Sequence, residues 1–250
     1  MRHEDIQRFY KDHYFISLMG MGSVQKMVGN IDVLVFFVND SQSAWTDRAK
    51  QKYREAQKAT MQLILKAARS KGVNLQLRNA YIDATVSMNC APENYDVWSK
   101  AIVMKYGNPT IPAFQSSYKA AHRCSEAPIM FVFNKPFRSR AVTADWVTRN
   151  HGEMSILSSE YNQHTIMHEL LHQFGAVDLY YPMELKCLVQ KMNYTSVMYG
   201  TNSLHIDSLN AYLIGWTKEL DAPALRIMEG TSHFTRDYIL NAIKRECARH

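Results

Sequence analysis

Apolar positions along this chain alternate between short continuous runs and longer stretches with helical spacing. Residues 33–38 (Val-Leu-Val-Phe-Phe-Val) form an unbroken apolar run that stops at Asn39-Asp40, the pattern of a buried central strand. Trp45, Ala49, Tyr53, Ala56, Thr60, Leu63 and Ala67 then recur every three or four positions, which is one face of a helix. That helix starts near Ser43 or Thr46, either of which can cap it, and ends at Lys71-Gly72. Alternation over residues 73–87 predicts a second strand or strand pair, so the unit is a crossover between parallel strands.

The same reading continues to the C-terminus. Residues 94–106 predict a short helix with Tyr95, Trp98, Ile102 and Val103 inward, followed by a loop over 107–112. Residues 129–133 predict a third strand, 139–147 an exposed edge strand and 153–158 a fifth strand. A helix over 162–174 buries Ile166, Met167, Leu170, Leu171 and Phe174. After Gly175 the pattern loosens into loops until helical zones at 206–216 and 236–247. Strands alternating with helices predict an α/β fold. Residues 1–30 read as an N-terminal extension or a prosegment, and 31–250 as one domain with an upper lobe (31–175) and a smaller lower lobe (176–250).

Composition narrows the function classes. The only long apolar run is interrupted by Asp32 and is too short to cross a bilayer. No hydrophobic leader is visible near the start, which leads to an expectation of a cytoplasmic protein, with leaderless export or a trimmed leader left open. The four cysteines are widely spaced and form no C-x-x-C pair, so buried free thiols are expected. The net charge of +6 is densest over residues 48–71, where it spreads around a helix; nucleic acid is not an expected partner and the oligomeric state is undetermined.

The chemistry is concentrated in His168-Glu169-Leu170-Leu171-His172, followed by Gly175 and Asp178. Two histidines four apart on a helix lie roughly 40° apart around the axis and about 6 Å apart along it, so both can reach one ion. Glu169 is offset from them but can lean toward a water beside that ion. Gly175 suits a left-handed helix end, after which the chain can return with Asp178. His205 is the alternative third ligand. His164 shares the face of His168, but three histidines would span about 12 Å, too far for one ion. Ser196-Val197-Met198-Tyr199-Gly200 follows some twenty residues later.

This H-E-x-x-H-x-x-G-x-x-D string with S-V-M-Y-G after it resembles the metzincin zinc metallopeptidases, specifically the snapalysin type in which aspartate replaces the third histidine. The resemblance implies an α+β zincin: a twisted mixed sheet, two long helices with the second carrying the first two ligands, and a mostly helical C-terminal lobe. It implies Zn2+ held by His168, His172 and Asp178, with Glu169 as general base and Met198 as the methionine of the turn beneath the metal. Tyr199 is a candidate hydrogen-bond donor to the oxyanion, beside Tyr180, Tyr181 and Tyr194. The implied activity is a metalloendopeptidase using metal-activated water on a protein or peptide substrate. The alternative is a catalytically silent zincin serving as a protein-binding module. An extended peptide would add to an edge strand, at residues 138–142 or 155–159. Arg138 and Arg140 on that rim would favour acidic or phosphorylated segments.

Overall fold

A computed structural model describes residues 1–143, 152–200 and 203–247. Five strands occur there: β1 (Gly29–Asn39), β2 (Leu75–Thr85), β3 (Ile129–Phe133), β4 (Arg140–Val142) and β5 (Met154–Leu157). They form one sheet in the order β2-β1-β3-β5-β4. Every pairing is parallel except that of β4 with β5. The described helices are α1 (His3–Tyr10), α2 (Tyr14–Ser17), α3 (Asp47–Ser70), α4 (Tyr95–Met104) and α5 (Ile111–His122), then α6 (Gln163–His172), α7 (Met183–Lys191), α8 (Ser208–Leu213), α9 (Ala222–Gly230) and α10 (Arg236–Cys247). The architecture is therefore mixed α/β with a mostly parallel sheet, and the chain after Gly175 is helical. Among the described residues no helix is long and apolar enough to cross a membrane.

The unbroken apolar run of β1 follows from burial on both faces, the usual condition of a parallel strand. Val33, Val35 and Phe37 join a core with Tyr53, Met61 and Ile64 of α3 and with Ile166, Leu170 and Leu171 of α6. Leu34, Phe36 and Val38 point the other way, against Trp98 and Ile102 of α4 and Ile111 and Phe114 of α5. Each such buried side chain contributes roughly 1.5–3 kcal/mol relative to exposure.

Thr46, not Ser43, caps α3, its hydroxyl accepting from Ala49 N at 3.2 Å. Residues 75–85 form a single strand in continuous register with β1 rather than a pair. Only α3, at 24 residues, is long; α6 has 10. The expectation of two long helices is thus corrected, because Asn162 and Gly175 delimit the second one tightly. Helices α5, α7 and α9 fall where loops or no element was expected. Thr110 and Asp221 cap α5 and α9, with a proline in each first turn, a start signal that weak apolar periodicity obscures.

The expected edge strand is β4, at one end of the described sheet, with β2 at the other. Strand β4 is shorter than the expected 139–147, of which residues 144–147 lie outside the described residues. Residues 155–159 are not an edge: β5 is hydrogen-bonded on one side to β3 and on the other to β4.

The first 30 residues build into the C-terminal half. Ile6, Phe15, Ile16 and Met27 are buried in the same core as Ile227 and Phe234. Tyr14 N donates to Phe234 O at 2.6 Å and Trp216 Nε1 to Met27 O at 2.7 Å. Cys90 and Cys124 are buried and free.

Candidate metal centre

Helix α6 carries the site, and its ends explain its placement. Asn162 Oδ1 accepts from Thr165 N at 2.9 Å, satisfying a donor of the first turn. At the other end Gly175 has φ +94°, a left-handed conformation that costs glycine little. An added Cβ there would meet only Leu213 O at 3.8 Å, so the backbone angle and not crowding demands glycine. The chain reverses and brings Asp178 back beside the helix.

Gln173 seats the helix on the sheet. Its side chain accepts from Ile129 N and donates to Ile129 O, both at 3.0 Å, and donates to Ser155 Oγ at 2.7 Å. Ser155 Oγ in turn donates to the carbonyl of Glu169 at 2.7 Å. The amide thus behaves like one more backbone unit at the start of β3, and it fixes the register of the two imidazoles.

Three potential ligand atoms converge. His168 Nε2, His172 Nε2 and Asp178 Oδ1 lie 3.2 Å from one another in all three pairs. A tetrahedral ion with bonds of ~2.0 Å holds its ligand atoms about 3.3 Å apart, so the triangle has the right size. The protonation pattern points the same way. His168 Nδ1 lies 3.0 Å from Val197 O, and His172 Nδ1 lies 2.9 Å from Ala176 O. A carbonyl only accepts, so each Nδ1 carries a proton, and in the neutral rings each Nε2 turns a lone pair inward. Asp178 Oδ1 is buried and faces the two imidazole Nε2 atoms. Two imidazole nitrogens and a carboxylate oxygen facing one point would be stabilised by a positive charge between them. The donor set fits a divalent cation.

Without an ion the electrostatics place a proton between His172 and Asp178, which a bound cation would displace. Burial lowers the pKa of His172, but the Asp178 carboxylate overrides it and holds it up at about 9. Burial would raise the pKa of Asp178, yet the two imidazoles hold it far below the usual carboxylate range. Glu169 is raised, first by burial and then against the opposing pull of His172 and His168. His168, Glu169 and His172 also form a group that could hold a metal, with one potential ligand atom of each within 4.8 Å of the others. The equal 3.2 Å triangle favours Asp178 as third ligand and leaves Glu169 one layer further out.

Residues 196–200 meet the site through Val197, whose carbonyl lies 3.0 Å from His168 Nδ1. Met198 is fully buried, its N–H donates to Ser196 Oγ at 2.9 Å, and its carbonyl accepts from Leu179 N at 2.8 Å. The turn therefore grips the residue next to Asp178, while its Val197 carbonyl orients His168. Asp207 anchors this turn, accepting from Ser196 Oγ at 2.5 Å, Tyr194 OH at 2.9 Å and Asn210 Nδ2 at 2.8 Å. Asn210 Oδ1 accepts from Val177 N at 2.8 Å, which closes the circuit on the other neighbour of Asp178.

The remaining expected residues sort by these contacts. His164 Nε2 lies 2.9 Å from Val197 O and its ring stacks on His168, outside the triangle. His205 is exposed and meets Val197 through its carbonyl. Tyr194 is committed to Asp207. Tyr180 stacks against His168 with ring centroids 6.2 Å apart, its pKa pushed up by burial and then by Asp178. No hydrogen bond among the described residues joins the Tyr199 hydroxyl to the triangle. Gln173, Ser155, Asp207 and Asn210 were not expected. A glutamine on an otherwise apolar helix face was the one signal that could have found the first. No protein-family model matches this chain, and no curated protein matches it.

Proposed function

We propose that this chain is a zinc-dependent endopeptidase of the metzincin type, with aspartate as the third ligand and a zincin fold. The observation that carries the reading is the triangle of His168 Nε2, His172 Nε2 and buried Asp178 Oδ1, each 3.2 Å from the other two. Zinc held by these residues would polarise a scissile carbonyl and lower the pKa of a water toward about 7.

The chain's own groups supply the rest. Glu169 accepts a proton from the attacking water and returns it to the leaving amine. Its buried, raised carboxyl binds a proton more readily than an exposed glutamate, which suits that shuttle. The Val197 and Ala176 carbonyls keep both imidazoles in one tautomer and orientation. Among the described residues strand β4 ends the sheet on that side, and an extended peptide would pair with its outer edge.

The test is metal content of the purified protein together with peptide hydrolysis by the wild type and Glu169→Ala. The expected result is about one zinc per chain in both, with hydrolysis falling ~10²–10⁴-fold in the variant. Zinc retained with no hydrolysis by the wild type would instead support a catalytically silent binding module.

A further inference from the structure

Two side chains of one helix hold the carbonyl of Val197. His164 and His168 stand one turn apart on α6, and both rings reach this oxygen, His164 Nε2 at 2.9 Å and His168 Nδ1 at 3.0 Å. A carbonyl only accepts, so His164 carries a proton on Nε2 where His168 carries one on Nδ1. The two donors engage both lone pairs of the oxygen. Val197 is fully buried, and its own N–H donates to His205 O at 2.7 Å, so the residue is held through both of its backbone groups. Next in the chain, Met198 O accepts from Leu179 N at 2.8 Å, beside Asp178. The first turn of α6 is thereby linked, through Val197 and Met198, to the segment that carries the third ligand.

We propose that His164 is a positioning residue, whose Nε2–H fixes the Val197 carbonyl where that carbonyl sets the rotation of the His168 ring. This rests on the metal centre of the peptidase reading above. A carbonyl with one donor can swing within the broad range of directions a hydrogen bond allows. The His168 ring would swing with it and carry Nε2 off the 3.2 Å triangle. A second donor from the same helix narrows that range. His164 also lies against His168, with ring centroids 5.5 Å apart and planes 27° from parallel, so ring packing is the competing account of its place. Substitution separates the two. His164→Phe keeps an aromatic ring and removes the donor. His164→Gln removes the ring and keeps an N–H at the same number of bonds from the backbone as Nε2.

Zinc affinity of the full chain is measured by chelator competition for the wild type and both variants. His164→Phe should weaken zinc about tenfold, the low end for a residue that orients a ligand, and His164→Gln should stay within about threefold of the wild type. Unchanged affinity in His164→Phe overturns the proposal. So does a loss in His164→Gln as large as that in His164→Phe, which would assign the effect to the ring stack. A second readout needs no metal: amide hydrogen exchange of Val197 and Leu179 in the zinc-free protein, resolved by NMR. Both amides should exchange about threefold to tenfold faster in His164→Phe and at the wild-type rate in His164→Gln, with the β1 amides unchanged in both. Equal exchange in the wild type and His164→Phe also overturns the proposal. Zinc affinity that depends on His164 in a protein that cuts nothing upholds the positioning role and removes the peptidase reading. Absence of zinc in the wild type overturns both, whereas bound zinc indifferent to His164→Phe overturns this proposal alone.

Discussion

A proton on Nδ1 of His168 and of His172 suits two imidazoles to chelation, because it leaves each Nε2 as the atom that would bind an ion beside Asp178. Asp178 then decides whether this is a ligand triangle or a polar cluster. Asp178→Asn keeps the shape and removes the negative charge. Zinc affinity, measured by chelator competition, should fall by more than the roughly 10–100-fold loss typical of an outer-shell partner. A loss below tenfold would remove Asp178 from the ligand set. The residues of the motif were legible in the sequence because the ligand spacing is itself a helical repeat. Asp207 and Asn210 were not, since each acts on a segment some 10–33 positions away in the chain.

Helix α6 depends on contacts outside itself. It has only 10 residues, too few to be stable alone, and its hold on the sheet runs through Gln173. Gln173→Leu would strand Ile129 N–H and Ile129 C=O in a buried place, while Ser155 Oγ keeps its bond to the Glu169 carbonyl. At about 1–3 kcal/mol per stranded group, partly relieved by relaxation, the expected loss is about 2–4 kcal/mol in urea unfolding. A loss under about 0.5 kcal/mol would mean that the apolar face of α6 alone seats it. Periodicity located α3, α4, α6 and α10, whose apolar stripes are regular. It did not locate α7 and α9, where few buried positions punctuate a polar stretch, nor the pairing of β5 on both sides.

Across the whole molecule, the N-terminal segment and the C-terminal helices share one core, and His13 sits at their junction. Its Nδ1 accepts from Phe15 N at 3.2 Å, so Nε2 donates to Thr231 Oγ1 at 3.0 Å. Burial lowers its pKa from 6.5 to about 4. Between those values the unfolded chain binds more protons than the folded one. The stability is therefore full above pH 6.5 and declines as pH falls toward 4, by up to about 3 kcal/mol. His13→Asn retains an acceptor for Phe15 N and should flatten that part of the pH–stability curve. An unchanged slope would place the acid sensitivity elsewhere.

By itself the sequence determined the alternation of strands and helices and the residues able to hold a metal, because both are written in local periodicity and spacing. Tertiary structure alone decided the strand order, the identity of the free edge and the closure of the triangle by Asp178. It also decided the burial of the N-terminal segment against the distant C-terminal helices. The physical reason is one of range. Backbone repeat and side-chain polarity act over a few residues, whereas lone-pair convergence, sheet order and core sharing come from packing between segments whose separation in the chain carries no signal.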